Sequence, residues 1–252
     1  MEERESFDAS LDYLSYVDDK ANQAVVMHLP TQETTSYPIH ATKTTLSPNA
    51  DYLILRDEQQ TYFYSRQAAK EIFRIPGNHG WWKPFGFNAD GSRVGLMTTA
   101  AATKSQDDQA VFVYEMPTGT PLAEFNPQEL ASGIAVDAKG RRVAVTYGQH
   151  SSNKVCSVFD IATKQELFAH KRNAAAAEAV SAQVVAFHPT DPNKFAFDAY
   201  RGVLMPDMTY PYRFSRFEGH RDGDDRNQAV RQVANDGSAQ PVARGYGLQI
   251  AS

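Results

Sequence analysis

"GFNADGSRVGLM", residues 86–97, sets an apolar residue, a run of Asn, Asp and Gly, and an alternating apolar segment side by side. Asn and Asp side chains hydrogen-bond the nearby backbone and Gly accepts positive φ, so the middle of the stretch is a tight turn. The alternation that follows is the mark of a strand with one buried face. The phrase returns in degraded form as "SFDASLDYLSYV", "TLSPNADYLIL", "AVDAKGRRVAV", "AFHPTDPNKFAF" and "QVANDGSAQPVA". Its anchoring apolar residues are Phe7, Leu46, Phe87, Val136, Phe187 and Val233, so successive copies lie 39, 41, 49, 51 and 46 residues apart. A period of about 45 residues belongs to units of four short strands.

Each copy is followed by a third strand: "AVVMHL" (24–29), "TYFYS" (61–65), "AVFVYEM" (110–116), "CSVFDI" (156–161) and "RGVLMP" (201–206). A short polar turn then leads to a fourth, in "TTSYPIH", "KEIFRI", "PLAEF", "QELFAH" and "YRFSRF". The expected fold is all-β: a propeller of four-stranded antiparallel blades, with five complete blades and a partial sixth. The blades span 1–40, 41–79, 80–127, 128–172 and 173–220, and the partial one 228–252. Only "AAAAEAVSAQ" from Ala174 has the composition of a helix, because Ala has the highest helix propensity. The charged stretch "HRDGDDRNQ" (220–228) reads as a mobile loop.

At this level the chain resembles the WD-repeat β-propellers. His40, His79, His170 and His220 fall near the place of the family's Gly-His pair, and "EGH" (218–220) matches it best. The place of the family's Trp-Asp pair holds Tyr64-Ser65, Tyr114-Glu115 and Phe159-Asp160. The aromatic body is kept, while the acidic partner is kept only in part. The resemblance implies a non-enzymatic scaffold for protein–protein interaction within a larger complex, with the four histidines as structural members of their blades. With the sixth blade incomplete, a partner chain or self-association is expected to complete the propeller, since open sheet edges invite pairing.

Bulk properties narrow the function classes. A net charge of -5 gives no basic footprint for nucleic acid or an anionic membrane. No apolar run reaches the length of a membrane span. The acidic start "MEERESFDAS" is not a signal peptide, and a single cysteine, Cys156, excludes a disulfide framework, so a cytoplasmic setting is expected.

Candidate chemistry is sparse. There is no Gly-x-Ser-x-Gly elbow and no phosphate-cradling Gly-rich loop. No pair of histidines has the spacing of a helical zinc site, so neither a metal nor a cofactor is expected. The acidic pairs Asp18-Asp19, Asp107-Asp108 and Asp224-Asp225 are neighbours in polar loops and point apart. The binding candidates are Trp81, Trp82 and Lys83 in "GNHGWWKPFGF", because tryptophan anchors interfaces by burying a large area at small entropic cost. Packing between the second and third blades is the structural alternative for the two rings. The alternative function is a propeller hydrolase of lactonase or glycosidase type, with a metal in its central channel.

Overall fold

The repeated phrase folds as a hairpin each time it occurs. The computed structural model describes residues 5–57, 59–76, 85–99, 109–126, 131–147, 154–171, 182, 184–199, 202–206, 208, 214–220, 229–233 and 239–241. Among these there is no helix, and every element is a strand. Expectations for 172–181, including the Ala-rich stretch, and for 221–228 fall outside the described residues.

The first sheet is β1 (Glu5–Phe7), β2 (Tyr13–Asp18), β3 (Gln23–His28) and β4 (Glu33–Tyr37). The second is β5 (Lys43–Leu46), β6 (Tyr52–Arg56), β7 (Gln60–Ser65) and β8 (Lys70–Pro76). The third holds β9 (Phe85–Phe87), β10 (Arg93–Thr99), β11 (Gln109–Glu115) and β12 (Pro121–Phe125). The fourth holds β13 (Ala131–Val136), β14 (Arg142–Tyr147), β15 (Lys154–Asp160) and β16 (Glu166–Lys171). All four are antiparallel meanders with strands in chain order.

The fifth sheet opens with β17 (Val185–Phe187), β18 (Phe195–Ala199), β19 (Gly202–Pro206) and β20 (Phe214–His220). The strands expected of a partial sixth blade are β21 (Ala229–Val233) and β22 (Ala239–Pro241). Both are hydrogen-bonded onto this sheet, which they extend to six strands, with Arg216 opposite Val233 in the β20–β21 pair. The edge of β20 offers unpaired backbone donors and acceptors, and a hairpin satisfies them.

The chain divides into two compact units, residues 1–128 with the first three sheets and 129–252 with the last two. In the first unit, alternation along each strand sends one set of side chains to each neighbouring sheet. Leu46, Leu53 and Leu55 of the second sheet pack with Ala24, Val26 and Tyr37 of the first. On its other face Ile54, Phe63 and Ile75 meet Val94, Leu96 and Met116 of the third. Each fully buried leucine here contributes about 2 kcal/mol. Aromatic contacts fix the spacing: Tyr37 meets Tyr64 edge-on at 5.2 Å between ring centroids, and Phe63 stacks on Phe73 at 4.2 Å. Gly119, at φ 71°, passes over Phe73 so closely that a Cβ there would lie 2.6 Å from the ring. In the second unit Ala144, Cys156 and Val158 pack with Val185, Phe195 and Phe197. Cys156 is thus a buried member of the apolar core.

Candidate interaction surface

One geometry repeats at the loop between first and second strands. Its first residue is Asp8, Ser47, Asn88 or Asp137, and in each case its N–H donates to the carbonyl five residues on: Tyr13, Tyr52, Arg93 or Arg142. The returning N–H of that same distant residue donates to the first residue's side chain, at 2.8, 3.0, 2.8 and 3.1 Å respectively. The residue three along turns back to the first residue's carbonyl in all four loops: Leu11, Ala50, Gly91 and Gly140. These four have φ between 56° and 71°, the left-handed region that reverses the chain. What the sequence must supply at the first position is therefore an oxygen acceptor, and Asp, Ser and Asn all qualify.

A second bond clasps each loop to the next hairpin. The carbonyls of Asp12, Asp51, Ser92 and Arg141 accept from the N–H groups of Leu29, Arg66, Met116 and Ile161, at 2.7–2.9 Å. Loops of neighbouring sheets also interlock. In the first unit Ala9 N–H donates to the Pro48 carbonyl at 2.9 Å, and Asn49 Nδ2 donates to the Asp90 carbonyl at 2.9 Å. In the second, Arg142 Nη1 reaches the Pro192 carbonyl at 2.6 Å and Asn193 Oδ1 at 2.9 Å. Loops held this way are positioned by backbone rather than by side-chain packing alone, and their tips are pre-organised for contact.

The tips differ in charge. In the first unit they carry Asp12, Asp51 and Asp90. Ser10 Oγ lies between two carboxylates, 2.5 Å from Asp8 Oδ2 and 2.8 Å from Asp12 Oδ2. Burial pushes the Asp8 carboxyl up, but hydrogen bonds from Ser10 and from the Tyr13 N–H outweigh it and hold the pKa below its ordinary value. The Ser92 hydroxyl and N–H hold Asp90 low in the same way. In the second unit the fourth sheet's loops show Lys139, Arg141 and Lys164, all exposed. Asp191 is paired with Lys194 at 3.2 Å. The arrangement can recognise charged and polar groups. Among the described residues no cluster of three or more His, Cys, Asp or Glu could hold a metal ion.

Trp81, Trp82 and Lys83 lie outside the described residues, as does His79. His40 is exposed on the link between β4 and β5. His170 sits on β16 with its ring centroid 5.6 Å from that of Phe197 in the next sheet. His220 ends β20, opposite Ala229. His40 thus lies between the first two sheets, His170 on the fourth and His220 on the fifth. His188, which the sequence sets in a strand or turn context, supplies the side-chain acceptor of the fifth loop. Its Nδ1 accepts from the N–H groups of Thr190 and Asp191 at 3.3 and 3.1 Å. The signal was its alignment with Asp8, Ser47, Asn88 and Asp137 in the repeated phrase.

No protein-family model matches the chain, and no curated protein matches it. Solved structures do. A chain from Kuenenia stuttgartiensis hydrazine synthase superposes with a TM-score of 0.56 at 12% identity, covering 92% of this chain and 65% of that one. This chain therefore spans just under two thirds of that neighbour. A chain of the mitotic checkpoint complex gives a TM-score of 0.63 at 9% identity, covering 95% and 75%. A chain from the complex of KlAtg21 with the coiled coil of AgAtg16 gives 0.66 at 11%, covering 93% and 81%. Meanders of short antiparallel strands, repeated along the chain and matched by these structures, make the fold a β-propeller.

Proposed function

We propose that this chain is a diverged WD-repeat-like scaffold that binds other proteins through its loops. The observation that carries the reading is the repeated loop geometry: every described first-to-second-strand loop is bonded to its own sheet and clasped to the following hairpin, which presents charged tips at fixed positions. Rigid presentation lowers the ordering cost of association. Two of the similar structures are parts of protein assemblies, one with a coiled coil in its name, which supports the same class of role. Fold alone hosts many activities, so the weight rests on the loops. Trp81, Trp82 and Lys83 are the proposed anchors of one contact, and the acidic tips Asp12, Asp51 and Asp90 of another.

The test is affinity capture with the intact chain, quantified by mass spectrometry, against two variants. One is Trp81→Ala with Trp82→Ala; the other is Asp12→Asn with Asp51→Asn and Asp90→Asn. Loss of a shared, stoichiometric set of proteins from either variant, with the far-ultraviolet spectrum unchanged, supports the reading. Full retention of every captured protein by both variants overturns these residues as the contacts. A chain that captures nothing yet hydrolyses lactones or glycosides overturns the scaffold role.

A further inference from the structure

The fourth strands of the five sheets are of two kinds. β8, β12 and β16 meet their inner neighbours through an irregular register, broken between Phe63 and Tyr64, between Val113 and Tyr114, and at two places along β15. A bulge of this kind bends the outer strand and spoils its free edge as a template for another strand. Each of the three also carries proline or several charges: Lys70, Arg74 and Pro76 on β8, Pro121 and Glu124 on β12, Glu166 and Lys171 on β16. β4 and β20, by contrast, pair with their inner neighbours without a break. One of these two regular edges is already used. β21 lies antiparallel along β20, with Arg216 opposite Val233 at one end and His220 opposite Ala229 at the other. The chain thus adds a strand to a regular outer edge and to none of the bulged ones.

β4 is the other regular edge, and it ends its sheet. Glu33, Thr34, Thr35 and Ser36 are all exposed. The direction of its backbone groups follows from the next strand inward. Leu29 N–H donates to the Asp12 carbonyl at 2.7 Å, so Leu29, Met27 and Val25 turn their backbone groups towards β2. The alternate residues His28, Val26 and Ala24 turn theirs towards β4, where their partners are Glu33, Thr35 and Tyr37. That leaves the N–H and C=O groups of Thr34 and Ser36 aimed away from the sheet. Threonine is a residue of strands, and neither lysine nor proline interrupts the segment.

We propose that the free edge of β4 binds an extended segment of a partner protein as an added antiparallel strand, held by the backbone groups of Thr34 and Ser36. The strand already added within the chain indicates the chemistry: the β20–β21 register sets Arg231 opposite Glu218. On β4 the single charged residue is Glu33. The incoming strand therefore carries Arg or Lys opposite Glu33 and small or β-branched residues opposite the threonines, because opposite charges and threonine pairs stabilise cross-strand neighbours. The proposal goes beyond the loop-binding reading and does not depend on it, because no loop-tip residue takes part.

The probe is a short fluorescein-labelled peptide of alternating threonine and valine with one central arginine, titrated with the intact chain by fluorescence anisotropy. A second peptide has glutamate in place of the arginine. Saturable binding is expected, about twofold to fivefold tighter for the arginine peptide. Thr34→Pro combined with Ser36→Pro removes the two outward donors, a change that edge strands tolerate, and should weaken binding at least about tenfold. Thr34→Val keeps the backbone and should bind as before. Thermal melts check that each variant folds. Glu33→Lys alters only an exposed side chain and should reverse the preference between the two peptides. Three results overturn the proposal: no saturable binding, binding that a folded proline pair leaves unchanged, and a preference that Glu33→Lys fails to reverse. Sedimentation velocity supplies a fourth, a dimer of the chain that the proline pair dissolves, which would give the edge to a second copy.

Discussion

Four of the strand-connecting loops obey one rule and the fifth departs from it, and the departure shows which part of the rule matters. In the four regular loops the bond from the first residue's N–H closes on the carbonyl five positions along. In the fifth, His188 N–H donates instead to Lys194, six along, so one residue has been added. The segment holds Pro189 and Pro192, each of which removes a backbone donor. No positive φ is found among its described residues, whereas each regular loop has one. Two things persist nonetheless. The first residue still offers a side-chain acceptor, now a ring nitrogen that takes the N–H groups of Thr190 and Asp191 instead of the returning strand's, and the Asn193 carbonyl still receives the clasp, from Met208 N–H at 2.8 Å. The backbone bonds and the acceptor are the conserved physics; loop length and left-handed turn are one way of delivering them.

The largest effect expected from this comparison is at Asp137, which is fully buried and accepts from the N–H groups of both Arg141 and Arg142. Asp137→Ala should cost about 2–3 kcal/mol in a urea titration, because it removes the charged acceptor of two backbone N–H groups. Ser47→Ala, which removes a neutral acceptor, should cost about 1 kcal/mol in the same assay. Equal losses at the two sites would show that the side-chain acceptor does not set the strength of the loop.

Next comes Gly91. A Cβ there would lie 2.9 Å from Asn49 Oδ1, and φ is 71°. Gly91→Ala should cost about 1–2 kcal/mol and weaken the Asn49–Asp90 link between neighbouring loops. Unchanged thermal stability would mean the loop relaxes into another turn, as the fifth loop has done.

Acid should discriminate among the loops without any mutation. The Asp8 carboxyl has a folded pKa below its ordinary value, so its contribution is fully present above the unfolded value of about 3.9 and is lost as pH falls through the folded one. The Tyr13 amide, whose acceptor is Asp8 Oδ1, should therefore shift in an NMR titration below about pH 4. The Tyr52 amide, whose acceptor is the Ser47 hydroxyl, should not follow it. Parallel titration of both amides would trace to global unfolding and erase the distinction.

The smallest effect is a gain. Leu11 occupies the left-handed region at φ 63°, so Leu11→Gly should stabilise by about 0.5 kcal/mol once the unfolded-state penalty of glycine is subtracted. Thr190→Gly in the fifth loop, with no positive φ to relieve, should destabilise instead. A gain at both positions would argue that the fifth loop is strained as well.

Much of the architecture was legible in the sequence because it rests on local chemistry. Turn residues at Asp8, Asn88 and Asp137, followed by alternating apolar residues, mark the first two strands, and "TYFYS" and "CSVFDI" mark the third. What the sequence could not disclose is non-local. Whether β21 and β22 begin a new sheet or extend an old one depends on which edge their backbone groups meet, and the letters of 229–241 do not encode that. Of the site candidates, His40 lies on the link between the first two sheets and His170 on the fourth. The true organising acceptors are the residues that follow the apolar anchor of each copy, Asp8, Ser47, Asn88 and Asp137, whose shared role shows only when the copies are aligned.

The clasp on the Asn193 carbonyl has a practical corollary. Because the fifth loop absorbed an extra residue while keeping that bond, the segment from Pro189 to Asn193 is a natural place to graft foreign sequence. A short epitope or fluorophore tag spliced there would be displayed between β17 and β18 while those strands keep their register.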